Sequence, residues 1–365
     1  MGLKVVIACG GTGGHLFPGI AVAEELERRG HEVLSLISEK NIDALATEGY
    51  RHLKFETVEA IAMPRLLSPA MLKFLVKFIK TRTRCRRLVR DFGADAVLGM
   101  GGFTSMPPVM AGRSFGAKTF VHESNAFPGK ANRLTAKFCD AVLLGFEACA
   151  AHFSGRRTEV VGTPVRTDLD VGMDAGEARV GFGLKAGVPT VLVMGGSQGA
   201  RGVNRAVCDA LKHLGGAGVQ FLHFTGAADE VEVREAYAGS GVDFHVAPFC
   251  QEMGKAYAAA TLAIARSGAS SLAELAAFGV PSVLVPYPYA ADDHQSKNAA
   301  IFGDVEAALV IDEEVLDGVM LGKVIGEFSG DPRRTAEMAE HCRALAVPGA
   351  AAAICEKIEA ACGKR

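Results

Sequence analysis

Leu3-Lys4-Val5-Val6-Ile7-Ala8-Cys9-Gly10-Gly11-Thr12-Gly13-Gly14-His15 joins a short apolar run to a glycine-rich turn, and Pro18-Gly19-Ile20-Ala21-Val22-Ala23-Glu24-Glu25-Leu26 follows with helical spacing. A strand that passes through glycines into a helix opens an α/β unit. The N–H groups at such a helix start point at an anion, and glycine lets a phosphate approach the backbone closely. The device recurs in Gly99-Met100-Gly101-Gly102-Phe103-Thr104-Ser105 and in Met194-Gly195-Gly196-Ser197-Gln198-Gly199-Ala200, each after an apolar run. One such loop also fits tight strand-to-helix packing; three predict two related halves facing one ligand.

Working outward, short apolar runs alternate with amphipathic stretches. In the first half they are Lys4 to Ala8, Glu32 to Ile37, Ala96 to Leu98, Thr119 to His122 and Ala141 to Leu144. In the second they are Thr190 to Met194, Gln220 to Thr225, Phe244 to Ala247, Leu262 to Ala265, Ser282 to Pro286 and Ala308 to Ile311. Strands separated by helix-length segments predict doubly wound parallel sheets. The length of 365 residues suits two domains on a prior of about 100–200 residues each. Proline, glycine and short polar residues interrupt the rhythm over 162–172, which places the hinge there and predicts domains at 1–165 and 166–341. The helical stretch of about 342–365 is expected to pack back on the first.

The bulk chemistry excludes several classes. A net charge of −2 gives no overall attraction to nucleic acid. Nine cysteines without a CxxC pair read as buried, reduced thiols of a cytosolic protein rather than a disulfide framework. No apolar run of about 18 residues and no cleavable leader pattern occurs, so a cytoplasmic chain that does not span a membrane is expected. One segment stands apart: 60–90 carries nine Lys/Arg and no acidic residue. Within it, 71–90 is basic, amphipathic and aromatic-bearing, which suits an anionic membrane surface as well as a solvated helix face.

Spacing separates the nucleotide-site classes. No GxxxxGK[ST] occurs, which argues against P-loop phosphoryl transfer. The dinucleotide pattern GxGxxG fails because Leu16 stands where the third glycine belongs, and Ser38-Glu39 offers at best a displaced ribose acid. In the second half, Ser267-Gly268-Ala269-Ser270-Ser271 reads as a turn and N-cap whose N–H groups can bind a diphosphate. Glu274, one turn on, can accept from ribose hydroxyls, and Gln295 offers a donor and an acceptor to a sugar.

The ordered set GGTGGHxFP, GGxxSxP, HExNxxPGxxN, GxPVR, GGSQGA and SGAxSxxE…GxP…DxxxxN spans about residues 3–300. It closely resembles the MurG family, the bacterial glycosyltransferases that add N-acetylglucosamine to undecaprenyl-diphospho-muramoyl-pentapeptide (lipid I), giving lipid II for peptidoglycan. The resemblance implies the GT-B architecture, two Rossmann-like domains facing a cleft. It also implies UDP-N-acetylglucosamine as an inverted donor and no cofactor. On it, Gly196 and Ser197 hold donor phosphate. Ala269, Ser270, Ser271, Leu272, Ala273 and Glu274 lie along diphosphate and ribose, and Gln295 meets the sugar. The backbone at Cys250 reads uracil, and Arg166 sits near the nucleotide. Thr12, Gly13, Gly14 and Gly102 cradle the acceptor diphosphate, and Asn125 reaches the transferred sugar. His15 is the leading candidate for general base and Glu123 the second, with His122 a strand-end residue that orients Glu123. A peripheral location on the cytoplasmic face of the inner membrane is implied, with partners from cell-wall synthesis.

Asp168-Leu169-Asp170 spells a metal-binding motif of other nucleotide-sugar enzymes, but it lies in the linker, and helix N-termini can stabilise a leaving diphosphate instead; no metal ligand is expected. The chain departs from the family pattern at Phe103 (usually Tyr), Thr163 (usually Asn) and His294 (usually Gln). Other readings stay open: a UDP-sugar transferase acting on another membrane lipid, a nucleotide-sugar-binding protein without turnover, or a nicotinamide-dependent reductase. Two glycine loops in the first half favour a pyrophosphoryl acceptor over a neutral one.

Overall fold

The computed structural model describes residues 2–10, 13–39, 48–59, 70–169, 172–196, 199–216 and 218–363. It comprises two units, Met1–Thr167 with Val347–Arg365, and Asp168–Ala346. The first holds a seven-stranded parallel sheet in the order β3-β2-β1-β4-β5-β6-β7. Its strands are β1 (Lys4–Ala8), β2 (Glu32–Ser38), β3 (Phe55–Val58), β4 (Ala96–Gly99), β5 (Lys118–Glu123), β6 (Ala141–Leu144) and β7 (Thr158–Val160).

Strand β1 shows why the central strands read as unbroken apolar runs. Val5 and Ile7 pack on one face with Ile20, Leu26 and Ile354, whereas Val6 and Ala8 pack on the other with Val89 and Val109. Both faces are covered, so alternation has no polar side to show. Strands β3 and β7 escape the apolar-run criterion because both are edges of the sheet, and Phe55-Glu56-Thr57-Val58 and Thr158-Glu159-Val160 keep polar residues.

The second unit repeats the plan with six parallel strands in the order β10-β9-β8-β11-β12-β13. These are β8 (Thr190–Met194), β9 (Gln220–Phe224), β10 (Phe244–Ala247), β11 (Leu262–Ala265), β12 (Ser282–Leu284) and β13 (Ala308–Val310). Strand β12 stops before the expected Pro286, whose missing N–H cannot extend a ladder. Its core gathers Val191, Val193, Ile264 and Val283 under Val203, Val207, Leu321 and Ile325.

The unit boundaries fall near, but not at, the expected ones. The first crossing lies between Thr167 and Asp168, so Arg166 belongs to the first unit. The return begins at Val347 rather than at 342. Cys342 still belongs to the helix Pro332–Ala344, with its Sγ 3.5 and 3.4 Å from the carbonyls of Leu275 and Val280. The helix Ala350–Ala361 then docks on the first unit. Ile354, Cys355 and Ile358 enter its core, and Glu359 meets Arg29 at 3.0 Å and His31 at 2.8 Å.

Candidate functional site

In an open parallel sheet, ligands bind beyond the carboxyl ends of the strands where the strand order reverses. In the first unit that point lies between β1 and β4, which pair directly, Ala8 opposite Gly99. The turn after β1 and the turn after β4 therefore flank one crevice. Gly13, Gly14 and His15 open the helix Gly13–Arg28, while Thr12 lies outside the described residues. This helix is pressed onto the strand end. A Cβ on Gly19 would sit 2.3 Å from Cys9 Cβ, so Gly19 supplies the close helix–strand packing that the missing third glycine of the dinucleotide motif would have given.

The second turn is built around His15. Gly101 and Gly102 adopt φ of +122° and +71°, and a Cβ on Gly101 would lie 2.7 Å from His15 Nε2. The imidazole is thus laid against a diglycine backbone that no side chain can replace. Thr104 Oγ1 donates to Gly10 O at 2.8 Å and ties the two turns together. The buried Ser105 hydroxyl accepts from Gly101 N–H at 3.0 Å and reaches Gly101 O at 2.6 Å, which fixes the turn from below.

Strand β5 ends beside it. His122 is fully buried, with Nε2 2.8 Å from Gly162 O and Nδ1 3.2 Å from Ser124 Oγ. A carbonyl only accepts, so Nε2 carries the proton and Nδ1 accepts from the serine. Burial drives this imidazole down to about 4 against the pull of the Gly162 carbonyl, and His15 pushes the same way. Its bonds go to Gly162 and Ser124, not to Glu123, which corrects the expectation that it orients that carboxylate.

Glu123, 2% exposed, has its own holders. Oε1 accepts from Asn125 N (3.0 Å) and Asn125 Nδ2 (2.9 Å), and Oε2 from Gly129 N (3.0 Å) and Asn132 Nδ2 (2.9 Å). Burial raises its pKa even though all four donors pull it down. Asn132, to which sequence reading gave no role although it closes HExNxxPGxxN, also donates to His122 O at 3.1 Å. Arg166 lies in this unit with its guanidinium 4.6 Å from the Phe17 ring centroid.

The second unit has its strand-order reversal between β8 and β11. Gly196 lies in the turn after β8, and Ser197 falls outside the described residues. Gly199, at φ +75°, backs onto Thr225, whose carbonyl a Cβ would meet at 2.2 Å. After β11, the helix Ala269–Phe278 has Gly268 as its N-cap residue and no side-chain cap hydrogen bond. Ser270 and Ser271 are half-buried and Ala273 lies on the second turn. Ala269 and Leu272 point into the core, and Leu272 N already bonds Gly268 O at 3.0 Å. Leu272 therefore has neither side chain nor N–H to offer a ligand.

Glu274 is buried, and the Tyr257 hydroxyl donates to its Oε2 at 2.6 Å. Nothing in the spacing links Tyr257, on the helix Met253–Ala259, to Glu274, so sequence reading missed it. Gln295 Oε1 accepts from Tyr287 N at 2.9 Å, so its acceptor is engaged by backbone. Ser267 Oγ donates to Gln295 O at 2.8 Å, and Asn298 Nδ2 to Ser267 O at 3.1 Å. Arg266 pairs with Glu313 and donates to Val285 O and Pro286 O at 3.1 and 3.2 Å. Just before Gln295, Asp292 and Asp293 hold φ of 54° and 53°, a strained pair of non-glycine residues at the mouth of the helix His294–Asp304. His294 Nδ1 lies 2.7 Å from Ala291 O. Cys250 is buried in the loop ahead of the helix Met253–Ala259. Among the described residues no cluster of three or more His, Cys, Asp or Glu could hold a metal, and no helix is long and apolar enough to cross a membrane.

Known proteins share this arrangement. Residues 5–144 match the glycosyltransferase family 28 N-terminal domain and residues 190–354 the family 28 C-terminal domain. A UDP-N-acetylglucosamine–N-acetylmuramyl-(pentapeptide) pyrophosphoryl-undecaprenol N-acetylglucosamine transferase of Halorhodospira halophila is 40% identical, covering 97% of this chain and 98% of its own length. One of the same description from Citrifermentans bemidjiense is 37% identical, covering 96% and 98%. The crystal structure of Acinetobacter baumannii MurG superposes with a TM-score of 0.75 at 26% identity, covering 99% of this chain and all of that one. A putative UDP-N-acetylglucosamine 2-epimerase from Listeria monocytogenes shares the fold at a TM-score of 0.71 and 14% identity. With both family 28 domains in order and full-length relatives near 40% identity, the chain has the GT-B fold and belongs to the UDP-N-acetylglucosamine–N-acetylmuramyl-(pentapeptide) pyrophosphoryl-undecaprenol N-acetylglucosamine transferase family of glycosyltransferases.

Proposed function

We propose that the protein transfers N-acetylglucosamine from UDP-N-acetylglucosamine to the C4 hydroxyl of lipid I, with inversion, releasing UDP and lipid II. The single observation that carries this reading to the residues is the His15 imidazole lying on the Gly101-Gly102 turn. What supports it is that an imidazole and two glycine turns lie together at one strand-order reversal.

The acceptor diphosphate occupies the turns containing Thr12, Gly13, Gly14 and Gly102. His15 takes the proton of the C4 hydroxyl as that oxygen bonds to the anomeric carbon and the bond from that carbon to the UDP oxygen breaks. An imidazole is a chemically suitable general base for this step. Glu123, with both oxygens already held by four donors, suits a positioning role better than proton transfer: it holds the 123–132 loop on which Asn125 approaches the sugar.

In the second unit, Gly196 and Ser197 hold phosphate, and the uncapped turn at Ala269, Ser270 and Ser271 receives the developing negative charge of UDP. Glu274, fixed by Tyr257, accepts from the ribose. Gln295, its oxygen engaged by Tyr287, presents its NH2 to sugar oxygens. The backbone at Cys250 reads the uracil edge, and Arg166 neighbours the nucleotide.

The protein works as a peripheral protein on the cytoplasmic face of the inner membrane. The helix Ala70–Phe92 supports this, with Leu72 and Ile79 exposed at 72% and 63% among its lysines and arginines. Some of that charge is paired, Lys77 with Glu59 at 2.7 Å and Arg84 near Glu39 and Glu56, while Lys73 and Lys80 form no ion pair among the described residues. Its product feeds peptidoglycan, on which cell shape and division depend, and proteins of cell-wall synthesis are its expected partners. Incubation with UDP-N-acetylglucosamine and a soluble lipid I analogue tests the reading: UDP release matched by disaccharide formation is expected, and NADH binding without UDP release would replace it with a reductase.

A further inference from the structure

We propose that Asn204 is a positioning residue for the donor diphosphate, which it serves by fixing the Thr225 carbonyl on which the turn after β8 rests; this builds on the donor reading above, in which that turn holds phosphate. Gly199 lies directly on the carbonyl: at φ +75° its backbone comes so close that a Cβ would meet Thr225 O at 2.2 Å. Thr225 follows β9, and its N–H donates to Ala247 O at 3.1 Å, so the sheet anchors it on one side. Asn204 Nδ2 donates to its oxygen at 2.9 Å from the other. The backbone N–H of Asn204 also donates to Ala200 O at 2.8 Å, at the start of the helix Arg201–Ala210. One residue thus bonds the end of the turn through its main chain and the support beneath the turn through its side chain.

The amide is held in one orientation. Asn204 is buried, and Nδ2 donates to Asp229 Oδ2 at 2.9 Å as well as to Thr225 O. Both partners accept, so Oδ1 faces His223 Nε2 at 3.0 Å and accepts from it. His223, kept neutral by loss of water, therefore carries its proton on Nε2 and accepts from the Tyr237 hydroxyl at Nδ1, 3.2 Å away. Turning the amide over would set oxygen against Thr225 O and Asp229 Oδ2. A buried polar chain of this kind gains little over apolar packing in net stability, but it specifies one arrangement. What it specifies here is the direction of the carbonyl under Gly199. Hydrogen bonds from the turn to phosphate oxygens weaken steeply once their angle is lost, so a shift of that carbonyl costs phosphate affinity and leaves nucleoside contacts alone.

Uridine and UDP share the nucleoside contacts and differ in the diphosphate, so the ratio of their dissociation constants isolates the phosphate contacts. Calorimetric titration measures UDP, and displacement of UDP measures uridine. For the unmodified protein, UDP should bind tighter than uridine by about tenfold or more, in keeping with charge-assisted hydrogen bonds to phosphate. Two variants test Asn204: Asn204→Ala, and Asn204→Asp, which keeps the size and the acceptor for His223 but puts oxygen in place of Nδ2. In both, UDP should weaken by about tenfold, while uridine stays within about twofold, which also shows that the variants are folded. A ratio unchanged in either variant would overturn the proposal. So would an equal loss of both ligands, which would make Asn204 a support of the whole unit, and so would an unmodified protein that binds UDP no tighter than uridine. Failure of the unmodified protein to bind UDP at all would instead overturn the donor reading beneath it.

Discussion

His15 and the two buried histidines show how one residue type takes different roles. His15 is half-buried against glycine backbone; in the proposed role of general base, His15→Ala should lower turnover by about 100-fold or more, the usual weight of such a group, while leaving the KM for UDP-N-acetylglucosamine near its normal value. Steady-state UDP release measures both, and near-normal turnover would remove His15 from proton transfer. His122 and His223 are buried neutral, pushed down to about 4 and about 3 by loss of water. His223 sits between Tyr237 OH (3.2 Å) and Asn204 Oδ1 (3.0 Å). For a base depressed in this way, the unfolded chain binds the extra proton, so the stability contribution is complete above an unfolded value of about 6.5 and is lost as pH falls through the folded one. For His122 the loss can reach about 3 kcal/mol. Melting temperature should therefore drop between about pH 6.5 and 4, a window above that of Glu25, whose arginine partners hold it at about 2. His223→Gln should flatten that slope; a melting temperature unchanged across this window would contradict the account.

At the scale of elements, each functional group depends on a neighbour that the sequence does not announce. The Tyr257 hydroxyl holds Glu274, so Tyr257→Phe should raise the KM for UDP-N-acetylglucosamine about 5- to 10-fold with little change in kcat, the worth of one ordinary hydrogen bond. Titration of the initial rate with donor checks this, and an unchanged KM would show that Glu274 needs no such support. The basic helix makes the second element-scale prediction. Lys73→Gln/Lys77→Gln/Lys80→Gln should weaken binding to anionic liposomes by about fivefold per unpaired lysine, with less from Lys77, which Glu59 already neutralises in part. Sedimentation with anionic vesicles reads this out, and unchanged binding would remove the helix from the membrane. These elements also show what was legible beforehand. Central strands such as β1 and β8 are plain because both faces are buried and their residues after Lys4 and Thr190 are all apolar. The edges β3 and β7 are not, because exposure frees their residues from that pattern. The glycine turns are plain because their backbone admits nothing else. Tyr257 and Thr104 are not, because a side chain that acts through another across the fold leaves no periodic trace. The helix Ala269–Phe278 is capped by Gly268, which has no side-chain oxygen to offer its first N–H groups.

At the scale of the whole molecule, the same strand order occurs twice, and each sheet sets its glycine turn at the point where that order reverses. Both sheets share this plan, and the difference between their turns supports the proposed division between acceptor and donor. The first unit adds a histidine and a second diglycine turn at its reversal; the second adds Glu274, Gln295 and an uncapped helix start. The most direct test of this division is UDP release from UDP-N-acetylglucosamine with and without a soluble lipid I analogue, followed with the unmodified protein and with His15→Ala. The account predicts acceptor-dependent release of UDP, one equivalent per disaccharide formed, that His15→Ala abolishes while UDP still binds. UDP release that ignores the acceptor, or that His15→Ala leaves intact, would contradict it.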